Sequence, residues 1–161
     1  MEHNLTVEAI LLYQKASLVA DDLRKQQNQG TRPPVPTAFA REFFAFIDRL
    51  NLRLMEDKDN FFGYFLFQMG KEIRFSIADA TSVTFKGTRY ILYFNPLIFL
   101  ALSPEQMETS IKHQILHVVS MHLVRAKELK GSYSKQAINL AMDVVVNTYL
   151  DHLPPFSTTI D

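Results

Sequence analysis

Apolar positions along the chain follow two periodicities, and the change between them sets the predicted architecture. From Thr6 to about Gln27, Val7, Ile10, Leu11, Ala16, Leu18, Val19 and Leu23 recur near helical spacing between Glu8, Lys15, Asp22 and Lys25. This predicts an amphipathic helix with Thr6 as its N-cap. Gly30 and the three prolines of NQGTRPPVP end it and make a connector. Thr37 caps a second predicted helix, to about Met55, with Phe39, Phe43, Phe46, Ile47 and Leu50 on one side. That stripe reads as core in preference to a partner groove. After a polar break over 56–60, Phe61–Met69 is apolar on all sides and fits a short buried helix ending at Gly70, with a strand as the alternative.

The period then falls to two. Phe75 and Ile77 alternate with Arg74 and Ser76 in Arg74–Asp79, and Val83 and Phe85 flank Thr84 in Ser82–Lys86. Lys86-Gly87-Thr88 offers a turn into a more buried strand, Arg89–Phe94, which Asn95-Pro96 closes. Helical spacing returns at Ser103-Pro104-Glu105-Gln106, an N-cap, a first-turn proline and a capping box. The helix is predicted to run unbroken to about Lys127 or Lys130 and stop at Gly131. Ile111, Ile115, Leu116, Val118, Val119 and Leu123 make it apolar around most of its surface, hence central. Ser134 caps a last helix to about Leu150, ended by Leu153-Pro154-Pro155. The expected fold is α+β, mostly helical, with a small antiparallel sheet or hairpin before the long helix. It forms one domain over 1–161, with a helical part over 1–60 and a core over 61–153. The tail, PFSTTID, brings no closing element, which fits an excerpt of a longer chain.

Composition narrows the function. Lys+Arg and Asp+Glu are equal at 17 each, so charge gives no reason to expect nucleic acid or an anionic membrane as partner. There is no cysteine, which excludes disulfides, thiolate–zinc knuckles and thiol nucleophiles. The start, MEHNLTVEAILLYQKA, lacks the basic and apolar regions of a signal peptide, and no apolar run reaches the length of a membrane span. A cytoplasmic protein is expected.

The candidate chemistry lies in His113-Gln114-Ile115-Leu116-His117. On a helix the two histidines sit about 40° apart, one turn above the other, and can share one zinc ion at roughly 2.0–2.1 Å each. The spacing is that of H-E-x-x-H, with Gln114 where a metallopeptidase has its general-base glutamate. A third ligand is needed. Asp143 interrupts the apolar run of AMDVVVN, where a lone carboxylate is costly unless paired or metal-bound. Asn147 lies one turn on; Asp143 and Asn147 thus resemble the paired ligand and outer carboxylates of thermolysin-like zincins, which implies that Asn147 orients His113 by a hydrogen bond. His122 competes for the third place, but it lies about 140° from His117 on a continuous helix, and SMHLV has no glycine to break that helix. Asp143 therefore ranks above His122, which reads as a surface residue or a neighbour of the site. The plainer readings are that the histidines are core residues bonded to backbone and that Asp143 pairs with Arg125 or Arg74.

These residues carry a resemblance. From about Phe61 to Leu153 the chain resembles the metallopeptidase domain, zincin-like, that bacterial proteins carry ahead of a von Willebrand factor A-like domain. The shared pattern is H-E-x-L-H-x-x-x-x-H followed by N-x-A-x-D-x-x-x-N. This sequence keeps His113, Leu116, His117, His122, Asn139, Ala141, Asp143 and Asn147. The resemblance implies a zinc-dependent peptidase acting on a peptide or protein through zinc-activated water. It also implies, as partners, a von Willebrand factor A-like domain and an AAA+ ATPase. Gln114 departs from it, because a neutral amide cannot shuttle the proton. Very weak or absent hydrolysis is expected, and a non-catalytic zinc-containing peptide-binding module (a pseudoprotease) is the alternative. A helical interaction domain without metal is the third reading.

Overall fold

The computed structural model describes residues 2–30, 33–56, 60–155 and 157. Two long helices come first, α1 (Glu2–Asn28) and α2 (Thr37–Glu56). Helix α1 begins before Thr6, so Thr6 lies within it and does not cap it. Its buried stripe is Leu5, Ala9, Leu12 and Ala16, whereas Val7, Ile10, Leu11 and Leu18 face outward. Both sets recur at helical spacing in a helix with apolar residues on two faces, so periodicity alone did not say which face packs. The stripe on α2 is core as expected, with Phe43, Phe46, Ile47 and Leu50 wholly buried. Residues 57–59 of the polar break over 56–60, and most of the tail PFSTTID, lie outside the described residues.

Helix α3 (Asn60–Gln68) leads into β1 (Gly70–Ile73), followed by the hairpin β2 (Thr81–Lys86) and β3 (Arg89–Phe94). The sheet order is β1-β3-β2. Strand β2 runs antiparallel to β3, from Thr81 opposite Phe94 to Lys86 opposite Arg89, and Gly87 takes the left-handed turn position at φ 67°. Strand β1 runs parallel to β3, with Gly70 opposite Ile91. The expected antiparallel sheet is therefore mixed, and Gly70 starts a strand where it was expected only to end a helix. The strand predicted over Arg74–Asp79 is absent. After Arg74 N–H bonds Phe94 O at 2.8 Å the chain leaves the ladder. Asn95 Nδ2 then donates to Phe75 O at 3.2 Å and Ile77 O at 2.9 Å. Phe75 and Ile77 do turn inward alternately, but a side-chain amide pins that segment and no neighbouring strand does.

Asn95 also caps a short helix that the sequence reading missed, α4 (Pro96–Phe99), through Leu97 N–H. Phe43, Phe94 and Phe99 meet edge to face at 5.1–6.2 Å, locking α2 and α4 against β3. The predicted capping box opens α5 (Pro104–Val119): Ser103 Oγ accepts from Gln106 N–H, and Gln106 Oε1 accepts from Ser103 N–H.

The predicted long helix is two. Helix α5 ends at Val119 and α6 (His122–Leu129) begins after Met121, which holds φ 56° and ψ 29°. The lack of glycine in SMHLV did not keep the helix whole. Ser120 and Met121 N–H groups close α5 onto Leu116 O and Val118 O, and a methionine takes the left-handed position. Such a residue costs roughly 1–2 kcal/mol more than glycine there, and Met121 is 57% exposed, so little packing offsets it. Met121→Gly is expected to raise stability by about 0.5–1 kcal/mol once glycine's own entropy is deducted. Urea unfolding at constant slope checks this, and a loss of stability would show that the exposed side chain packs after all. Helix α7 (Lys135–Asn147), capped by Ser134, completes the fold and returns across α5 and α6.

Candidate metal centre

Helix α5 positions the site because its N-terminal half is fixed to the sheet. Thr81, the first residue of β2, is buried and its hydroxyl meets Ser110 Oγ at 2.7 Å and Ser110 O at 3.2 Å. One turn on, Gln114 Nε2 donates to Thr81 O at 3.2 Å. His113 and His117 follow on the adjoining face, opposite α7. Thr109 Oγ1 donates to Asp151 O at 2.6 Å, which ties the chain just after α7 back to α5.

Three donor atoms converge there. His117 Nε2 lies 2.8 Å from His113 Nε2 and 3.0 Å from Asp143 Oδ1, and His113 Nε2 lies 3.4 Å from the same oxygen. The group can hold a metal ion, since one ligand atom from each residue falls within 4.8 Å of the others. Three ligands about 2.0–2.1 Å from one ion in near-tetrahedral array would be roughly 3.3 Å apart, so the observed spacing is slightly contracted and otherwise fits. The imidazoles are largely shielded, with 18% and 12% of the side chains exposed, whereas Asp143 keeps 40% and opens the site to solvent.

Each imidazole is engaged on its far side. His113 Nδ1 donates to Asn147 Oδ1 at 2.6 Å, and His117 Nδ1 lies 2.9 Å from His122 Nδ1. In the tautomer with both Nδ1 atoms protonated, both Nε2 lone pairs point at Asp143, which suits a cation and is unfavourable without one. With protons on those Nε2 atoms in place of a cation, burial pushes the Asp143 carboxyl up, but the hydrogen bonds that His113 and His117 then donate outweigh it and hold it below the usual carboxylate range. The carboxylate is therefore ionised at neutral pH. Neither Arg74 nor Arg125 pairs with it among the described residues, and the Arg74 guanidinium lies over the Tyr93 ring at 4.0 Å.

Of the two readings of His122, surface residue or neighbour of the site, the structure places it as the neighbour. The break at Met121 turns it back against His117, and it is 6% exposed. Burial, then the neighbouring His117 and Arg125, push it below the usual imidazole range, so it is neutral and can accept from His117. Asn147 sits where expected, beside His113. Its loss in Asn147→Ala is expected to weaken metal affinity about 10–100-fold while leaving all three candidate ligands in place. Zinc titration against a competing chelator measures this, and an unchanged affinity would reduce Asn147 to a packing residue. Two features had no sequence signal: the left-handed Met121, and the Thr81 carbonyl that Gln114 reaches.

Neither the curated proteins nor the solved structures yield a match to this chain. A family model, described as a putative metallopeptidase domain, matches residues 50–155. That span takes in the whole sheet, α5 to α7 and every residue of the histidine–aspartate group. Since it covers well over half of the chain, this protein belongs to the putative metallopeptidase domain family.

Proposed function

We propose that the domain is a zincin-like, zinc-dependent metallopeptidase domain in which His113, His117 and Asp143 hold Zn2+ and Gln114 stands in the general-base position. The supporting observation is the convergence of two Nε2 atoms and one carboxylate oxygen, with each imidazole's other nitrogen already engaged. Two histidines and a carboxylate are a ligand set of catalytic zinc, which leaves a place for water or substrate. A bound ion would supply Lewis acidity to a peptide carbonyl and make a water more acidic. Asn147 and His122 would fix the imidazole tautomers and ring orientations.

The peptide's path follows from the sheet. Asn95 N–H bonds Ala80 O, so Thr81 and Phe94 face each other without exchanging hydrogen bonds, and Thr81, Val83 and Phe85 turn their N–H and C=O groups away from β3. Gln114 occupies the first of these outward carbonyls. An extended peptide would add to β2 at Val83 and Phe85.

A second reading is favoured by the same contact. An amide can donate to the Thr81 carbonyl and a carboxylate cannot. On that reading Gln114 belongs to a peptide-holding pseudoprotease. In either case the unit is the whole of 1–161, with 61–153 as the metal-bearing core, acting in the cytoplasm on a peptide or protein. The family resemblance adds a von Willebrand factor A-like domain and an AAA+ ATPase as partners. Elemental analysis of untagged protein purified without chelator tests the proposal. About one zinc per chain is expected, and no metal after zinc is added back would leave the histidines as core residues.

A further inference from the structure

A cleft adjoins the metal group. It has a volume of about 390 Å³ and opens between the end of α5, the start of α6 and the end of α7. Leu116 and the buried Val146 contribute apolar surface, and the exposed ring of Tyr149 stands at its edge. Its polar lining is Ser120, His122 and Arg125, with no carboxylate.

Each of those three groups has a proton to give. The Arg125 side chain makes no hydrogen bond or ion pair among the described residues, and the residue is exposed. His122, once its Nδ1 accepts from His117, carries its one remaining proton on Nε2. Ser120 contributes a hydroxyl. The backbone adds to this: α6 starts at His122, and its N-cap residue, Met121, offers no side-chain acceptor to the N–H groups of the first turn. The nearest α5 carbonyls, Leu116 O and Val118 O, already accept from Ser120 and Met121. The cleft is thus a donor-rich, cationic site with an apolar side, one residue removed from a metal ligand.

We propose that this cleft is a subsite for a carboxylate carried on a peptide, with Arg125 as its anchor. The carboxylate is either a free C-terminus or an acidic side chain, since a guanidinium grips both in the same forked geometry. The apolar side would take the aliphatic or aromatic part of the same residue. As a specificity site for hydrolysis it rests on the metallopeptidase reading, but carboxylate binding itself does not.

The test uses the full chain, freed of metal by chelation so that carboxylates have no ion to bind. Three probes are titrated in low salt and followed by backbone and arginine side-chain NMR: N-acetyl-phenylalanine, N-acetyl-glutamic acid α-amide and the neutral N-acetyl-phenylalanine amide. The carboxylate probes are expected to shift Arg125 Nε–H and the Val145 and Tyr149 amides, and the neutral amide to bind at least about tenfold more weakly. Arg125→Ala should lose the same factor and Arg125→Lys should retain part, with urea midpoints showing that both variants fold. A preference for the first probe assigns a C-terminal carboxylate, and for the second an acidic side chain. Equal binding of the neutral amide, no shifts with either carboxylate, or full binding by Arg125→Ala would overturn the proposal. Carboxylate binding in a protein that never takes up zinc would instead overturn the metallopeptidase reading and leave the subsite standing.

Discussion

Alanine at His117 is expected to reduce metal content from about one ion per chain to none, the largest single effect on this fold's chemistry. His117 is the hub of the group: its Nε2 meets both His113 and Asp143, and its Nδ1 meets His122. Removing it deletes one of the three proposed ligands, the one in contact with both of the others, so the loss should exceed the roughly 10–100-fold expected for an orienting neighbour such as Asn147. Thermal unfolding gives a second readout. A metal that binds only the folded chain stabilises it by about 2.7 kcal/mol at a hundred times its Kd, or roughly 5–10 °C for a domain of this size. That rise should be present in the parent chain and absent in His117→Ala, His113→Ala and Asp143→Ala. The zinc-free variants still need comparison with the zinc-free parent, because His117→Ala strips His122 and Asp143 of a partner at a cost of about 1–3 kcal/mol. An undiminished zinc shift in any of the three would show that the ion sits elsewhere.

Much of this site was legible in the sequence because it depends on local spacing. Four-residue steps place His113 above His117 and Asp143 above Asn147 whatever surrounds them, and the Ser103 and Ser134 caps fix where their helices begin. The hairpin was legible for the same reason, with alternation on both sides of Gly87. What could not be read depends on contacts distant in sequence. Arg74–Asp79 alternates like a strand, yet the amide of Asn95 holds it, and nothing in that stretch announces its partner. Strand β1 was hidden because a parallel pairing with β3 requires a crossover, and GKEI shows no alternation on its own. The break at Met121 was missed because the reading required glycine for a left-handed residue. Glycine is the commonest solution and not the only one, and here the break turns His122 into the cluster beside His117. That break decides whether the third histidine of the motif lies on the surface or against His117.

Gln114→Glu is the second large effect, and it separates the two readings of this domain. A carboxylate at that position can take the proton of an attacking water and hand it to the leaving amine, a contribution of about 10²–10⁴-fold. The same change breaks the hydrogen bond to Thr81 O, because an ionised carboxylate facing a carbonyl is repelled. Glutamate should therefore leave the edge strand and turn toward the metal group, the direction catalysis needs. If the scaffold is a peptidase disabled only at its base, the zinc-loaded variant should cleave a mixed peptide library about 10²–10⁴-fold faster than the parent, with cleavage products identified by mass spectrometry. Gln114→Ala is the control. It frees the same carbonyl without providing a base, and it should give no turnover. A zinc-replete Gln114→Glu protein that folds but cleaves nothing would mean that more than the base is missing. Gln114 would then be read as part of a peptide-holding edge, with its amide matched to the Thr81 carbonyl.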